Sequence, residues 1–128
     1  MELRLVLTVD DFEQALAFYR DALGLPEREA WEAEGATARI AILDAGRATL
    51  ELVNEAQAAA IDDVEVGQRV AGPVRVAFEV DDSEALAARL VAAGAEQLAD
   101  VVVTPWNDRN VRLRAPDGMQ LTLFTVVD

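Results

Sequence analysis

Two stretches of the chain alternate with a period of two. Leu3, Leu5, Leu7 and Val9 oppose Arg4, Val6 and Thr8, and Val74, Val76, Phe78 and Val80 oppose Arg75, Ala77 and Glu79. Such alternation predicts half-buried strands. A helical period follows each. Asp10 or Asp11 suits an N-cap, with Gln14 completing a capping box after Asp11. Ala15, Phe18, Tyr19, Ala22 and Leu23 then form one apolar stripe, which places Phe18 and Tyr19 in the core. Gly24 fits the left-handed position after this helix, and Pro26 blocks its continuation. The second helix is capped by Asp82 or Ser83, turns Leu86, Leu90 and Ala93 inward and stops at Gly94.

The remainder reads as shorter strands. Glu27–Glu32, Ala38–Leu43 and, past the turn Asp44-Ala45-Gly46-Arg47, Ala48–Val53 follow the first helix. Glu96–Val103, Asn110–Arg114 and, past Ala115-Pro116-Asp117-Gly118, Met119–Val126 follow the second. Pro followed by Asp-Gly is a strong turn signal. The order is β-α-β-β-β, twice, and the two copies keep register. RLVLTVD at 4–10 matches RVAFEVD at 75–81, and Leu50-Glu51-Leu52 matches Leu121-Thr122-Leu123, both at an offset of 71. We read two modules, about 1–54 and 73–128, joined by a connector over 55–72. That connector is acidic and Ala-rich, with room for one short helical turn and no assigned chemistry.

Composition narrows the function classes. The chain has 128 residues, no histidine and no cysteine. Zinc fingers, Ser-His-Asp triads, Cys nucleophiles and disulfides are therefore excluded. Any metal site would be built from oxygen ligands alone, which suits hard cations. With 11 basic residues against 24 acidic ones, the net charge of −13 disfavours nucleic acid and anionic membrane surfaces. The acidity suits either simple solubility or a groove for a cationic ligand. The N-terminus lacks a basic, apolar leader and no stretch is long enough to span a bilayer, so we expect a cytoplasmic protein.

Val-Asp-Asp followed by AFYRDALGL, a central LEL, a restart at RVAFEVDD and a closing APDGMQLTLF resemble the vicinal oxygen chelate superfamily over the whole chain. That superfamily includes glyoxalase I, bleomycin-resistance proteins, extradiol dioxygenases and fosfomycin-resistance enzymes. The resemblance implies an α+β fold of two βαβββ modules curling into a cup. It also implies four metal-ligand positions, which fall on Arg4, Glu51, Arg75 and Thr122. Only Glu51 is a plausible ligand. Arginine offers a cation no lone pair, and threonine is a weak ligand. We therefore expect no metal and no cofactor.

Strand parity, taken with that cup, gathers Arg4, Thr8, Thr49, Glu51, Arg75, Glu79, Gln120 and Thr122 on its inner face. Arg4, Glu51 and Arg75 form either an ion-pair cluster that plugs the cup or a ligand-facing set in which the arginines bind a carboxylate or enolate. Trp106, in Thr-Pro-Trp-Asn-Asp-Arg, either walls the cavity or packs its loop, and Trp31 has the same two options from the other module. Arg109 and Arg112 read as surface partners of the excess carboxylates.

Three functions compete. The first is metal-free binding of a small organic ligand, as in the drug-sequestering members. The second is a glyoxalase-like lyase or isomerase with Glu51 as base and Arg4 and Arg75 stabilising an enolate. The third is an interaction domain whose cup is filled by its own side chains. Small members of the superfamily dimerise, so the resemblance also implies a homodimer.

Overall fold

A computed structural model of the chain describes residues 1–32 and 37–127. The first strand, β1 (Glu2–Thr8), runs parallel to β4 (Ala48–Val53) and antiparallel to β5 (Val74–Glu79). Beyond β4 lie β3 (Arg39–Ala45) and β2 (Glu27–Glu32). Beyond β5 lie β9 (Gln120–Val126) and β8 (Asp108–Arg114), flanked by the short β6 (Glu96–Gln97) and β7 (Val102–Val103). The result is one curled sheet of nine strands.

The repeat in the sequence is a repeat in the register. Leu5 faces Leu50 and Val6 faces Glu51 in the first half; Val76 faces Leu121 and Ala77 faces Thr122 in the second. Across the central pair, Arg4 lies opposite Ala77 and Val6 opposite Arg75, so exchanging the halves maps the pairing onto itself. Arg4 with Arg75, and Glu51 with Thr122, thereby become pseudo-symmetric partners on the concave face.

The helices follow their caps. The Asp11 carboxylate accepts from the Gln14 N–H at 3.0 Å, and Asp82 accepts from the Ala85 N–H at 3.0 Å. Each such cap contributes about 1 kcal/mol. Helix α1 (Phe12–Leu16) buries Phe12 and Leu16 against Ala41, Leu43, Leu50 and Leu52 on the convex side. It continues as a π-helical segment, Ala17–Ala22, in which Leu23 N–H bonds Phe18 C=O. The buried stripe runs through Phe12, Ala15, Leu16 and Tyr19, at i, i+3, i+4 and i+7, so Phe18 turns away and is 61% exposed, contrary to the core position expected; Ala22 and Leu23 of the expected stripe are exposed as well. Gly24, at φ 88°, then takes the left-handed conformation its position calls for.

Helix α3 (Ser83–Ala92) covers the second half, with Ala87 against Val111, Leu113 and Leu123. Leu86 and Leu90 pack on the same cluster, while Ala93 stays exposed at the helix end. The connector differs most from its expectation. Instead of one short turn, it forms the eleven-residue α2 (Glu55–Glu65), capped by the Asn54 side chain accepting from Gln57 N–H at 2.9 Å. Helix α2 sets Ala58 and Ile61 against Val6, Ile40, Ile42 and Val53 on the concave side, closing one end of the cup.

Candidate functional site

The cup encloses a cavity of about 260 Å³. Arg4, Glu51, Arg75, Thr122 and Trp106, the five residues singled out from the sequence, all line it, and so does Trp31. On its floor, Glu51 stands 3.9 Å from Arg4 Nη1 and 3.9 Å from Arg75 Nη2. These contacts are Coulombic rather than hydrogen-bonded. Among the described residues no donor reaches the Glu51 carboxylate within hydrogen-bond distance, although the residue is only 7% exposed. Burial consequently pushes the Glu51 carboxyl above its ordinary range, and the Arg75 and Arg4 charges offset part of the effect. The arginine–glutamate–arginine set thus forms without filling the cup.

Each arginine is anchored on one side only. Arg75 donates from Nη1 to the Thr122 hydroxyl at 2.8 Å. Burial draws its affinity for protons down, against the favourable charge of Glu65. Arg4 donates from Nε to Glu2 at 3.0 Å and lies over the Phe124 ring, 4.9 Å from its centroid. Their other guanidinium nitrogens face Glu51 and the cavity.

A second cluster adjoins the first and was not legible as a site. Arg112, read from the sequence as a surface residue, is 1% exposed. Nε donates to Thr122 Oγ1 at 3.2 Å, Nη1 to Asp62 at 2.7 Å and Nη2 to Glu65 at 3.3 Å. The cause is a register step. In the first half Ile42 pairs with Glu51, whereas in the second Arg112, not Leu113, pairs with Thr122. The later hairpin is one residue longer, which turns Arg112 onto the concave face beneath α2. Asp62 also accepts from the N–H groups of Val70 and Ala71 at 2.8 and 2.9 Å. Burial opposes ionisation of Asp62, but Ala71, Arg112 and Val70 together hold its carboxyl below the usual range.

Sequence reasoning also passed over Asp108 and Asn110 on β8, and Gln57, Ile61 and Glu65 on α2, all of which line the cavity. Asn110 is 5% exposed and its Oδ1 finds no partner among the described residues. Burial pushes the Asp108 carboxyl up, with Arg4 acting in the opposite sense. Of the other residues assigned to the inner face, Gln120 accepts from Arg112 at 3.4 Å, but neither it nor Thr8, Thr49 or Glu79 lines the cavity. Arg109 is a surface residue as expected, paired with Glu84 at 3.2 Å.

The sequence signature described as the Glyoxalase/Bleomycin resistance protein/Dioxygenase superfamily matches residues 3–123. The chain belongs to that superfamily. Among curated proteins, none matches it by sequence. Solved superfamily-like structures share the fold. A hypothetical protein from Bacillus halodurans C-125 superposes with a TM-score of 0.71 at 18% identity, covering 98% of this chain and 93% of that one. Methylmalonyl-CoA epimerase from Streptomyces coelicolor, in complex with 2-nitronate-propionyl-CoA, gives 0.64 at 22% identity, with coverages of 99% and 96%. A superfamily member from Vibrio splendidus 12B01 gives 0.63 at 15%, with coverages of 96% and 97%.

Superfamily membership raises the question of a metal, and the donor set answers it. Two of the four ligand positions that the resemblance implies carry guanidinium groups, which repel a cation and have no lone pair to offer. Among the described residues no group of three His, Cys, Asp or Glu is placed to hold an ion. The residues present do not fit a metal. Nor is any described helix long and apolar enough to cross a membrane.

Proposed function

We propose that the cup binds a small organic ligand without a metal, and that Arg4 and Arg75 meet that ligand where metal-dependent relatives hold their ion. The observation that supports this reading is an unfinished hydrogen-bond set on the floor of a cavity of about 260 Å³. Among the described residues nothing donates to Glu51, and the two guanidiniums retain N–H groups with no acceptor on the cavity side. Leaving buried polar groups unpaired is costly, and a ligand supplying both an acceptor and a donor relieves that cost. Ligand-detected NMR on chelator-treated protein, against a library of small polar aromatics, tests it. Saturable binding at one ligand per chain is expected, and loss of binding in Arg75→Ala; no saturable ligand would count against the reading.

A lyase or isomerase is the second reading, and the raised proton affinity of Glu51 favours it. A carboxylate tuned upward by burial is a better base, and Arg4 and Arg75 would stabilise an enolate as it forms. A Glu51→Gln variant retaining full turnover on an accepted substrate would end this version while leaving the binding reading intact.

We further propose a homodimer. Leu3, Leu5 and Val74 share the convex face between α1 and α3, and each is more than a third exposed. A dimer mass by light scattering at micromolar concentration is expected; a monomer mass would refute it.

A further inference from the structure

The rim of the cup is built differently from its floor. Glu29 and Trp31 stand two residues apart on β2, on the face that pairs with Ile42 and Ile40. Across the cavity, Trp106 and Asp108 stand two residues apart where β8 begins. Each half therefore contributes one indole and one carboxylate. The chain has only two tryptophans, and both line this cavity while remaining about 40% exposed. An indole left open to solvent beside a carboxylate favours a cation over an anion.

The charge balance sharpens the point. On the floor, Arg4 is held by Glu2 and faces Glu51, Arg75 faces Glu51, and Arg112 is held by Asp62 and Glu65. Neither Glu29 nor Asp108 has an ion-pair partner among the described residues. Arg4, the cation that most offsets Asp108, is already committed to Glu2 at 3.0 Å. The rim thus carries two carboxylates without an ion-pair partner among the described residues, Asp108 being favoured in its charged form by Arg4 and the Trp106 side chain, in a concave, partly desolvated setting where Coulombic attraction is strengthened.

An independent observation gives the cation a chemical form. Asn110 lies two residues from Asp108 on the same wall, and its buried Oδ1 has no partner. It offers one acceptor to a group that carries a hydrogen.

We infer that the rim is a seat for a protonated primary or secondary amine, its ammonium between the Trp31 and Trp106 indoles, donating to Asn110 and paired with Asp108 and Glu29. This deepens the binding reading and rests on it: the amine occupies the rim and the body of the ligand extends toward Arg4 and Arg75. Because both tryptophans border the seat, intrinsic fluorescence reports its occupancy directly. The test titrates the chelator-treated chain with 2-phenylethylamine, its N-trimethyl derivative, 2-phenylethanol and 3-phenylpropionate.

The expected result is saturable change with the amine at an affinity at least about tenfold above the alcohol and the carboxylate, with the quaternary analogue in between. Asp108→Asn is expected to weaken amine binding about tenfold and Glu29→Gln about threefold, with salt reducing the difference. Asn110→Ala removes no side-chain hydrogen bond among the described residues, so its melting point is expected to stay unchanged while the preference for the primary amine over its quaternary analogue disappears. Tighter binding of the carboxylate, or saturation by none of the four, would overturn the amine seat. Saturation by the carboxylate or the alcohol would leave metal-free binding standing. A fluorescence response to divalent metal alone would bring down that reading as well.

Discussion

The cluster around Arg112, in which Asp62 also meets Arg69 at 3.0 Å, and the cluster around Glu51 are both sets of opposed charges on the concave face, and they share the Thr122 hydroxyl as a border. In the first, one guanidinium is matched by two carboxylates at 2.7 and 3.3 Å, and Asp62 collects two backbone N–H groups besides. In the second, one carboxylate lies between two guanidiniums at 3.9 Å from each, and none of the described residues donates a hydrogen bond to it. The same residue types therefore yield opposite states. A saturated cluster fastens α2 to the sheet; an unsaturated one lines the cavity that we propose receives a ligand. Burial is common to both, and hydrogen-bond completeness is what distinguishes them.

The largest expected effect breaks the saturated cluster. Arg112→Met leaves Glu65 buried without its counter-ion and Asp62 with Arg69 alone, at 3.0 Å, and is expected to cost about 3 kcal/mol. Denaturant unfolding with an unchanged slope would register it as a lower midpoint. Next comes the border. Thr122→Val removes a hydroxyl that donates to Glu65 at 3.2 Å and accepts from Arg75 and Arg112, so a loss of about 1–3 kcal/mol is expected. A double-mutant cycle with Arg112→Met should show coupling, since the two side chains touch. Smallest is the unsaturated cluster: Glu51→Gln is expected to change stability by less than about 1 kcal/mol, because no hydrogen bond to the carboxylate is lost.

Acidity separates the same two regions by sign. Asp62 is held below its unfolded value, so its contribution is present at neutral pH and disappears as pH falls through the folded value. Glu51 is held above its unfolded value. Ionising it costs the folded state more than the unfolded one, so wild type loses stability relative to Glu51→Gln as pH rises from the unfolded value through the folded one. Thermal melts across the acid range should show Asp62→Asn flattening the acid limb and Glu51→Gln removing this opposing slope. Parallel curves for all three proteins would contradict the assignment.

The strands that carry the floor were readable from alternation because Leu3 to Val9 and Val74 to Val80 keep a strict period, and the repeat at 71 fixed which residues face one another. The residues missed are those whose face depends on where a count begins. Phe18 lies outside the core because the buried stripe starts at Phe12 and runs through Leu16 and Tyr19, which turns Phe18 away. Arg112 entered the cup because the second hairpin is longer by one, and a one-residue shift moves a side chain to the other face. Helix α2 did announce itself, in the capping pattern Asn54-Glu55-Ala56-Gln57 before an alanine run, yet nothing in a connector's composition tells which face it will cover. Asn110 and Asp108 carried no signal beyond belonging to a strand, since an unpaired amide is visible only once its surroundings are known.

The central claim is that guanidinium groups, not a metal, meet the ligand in this cup. Thermal melting of chelator-treated protein with Mn²⁺, Ni²⁺, Zn²⁺ and Mg²⁺ in turn tests it most directly. An ion present at one hundred times its Kd would stabilise the fold by about 2.7 kcal/mol, a shift of several degrees for a chain this size. No shift with any of the four ions is the result expected from Arg4 and Arg75 at two of the ligand positions. A saturable upward shift, abolished by Glu51→Gln, would place a metal at that carboxylate and contradict the account.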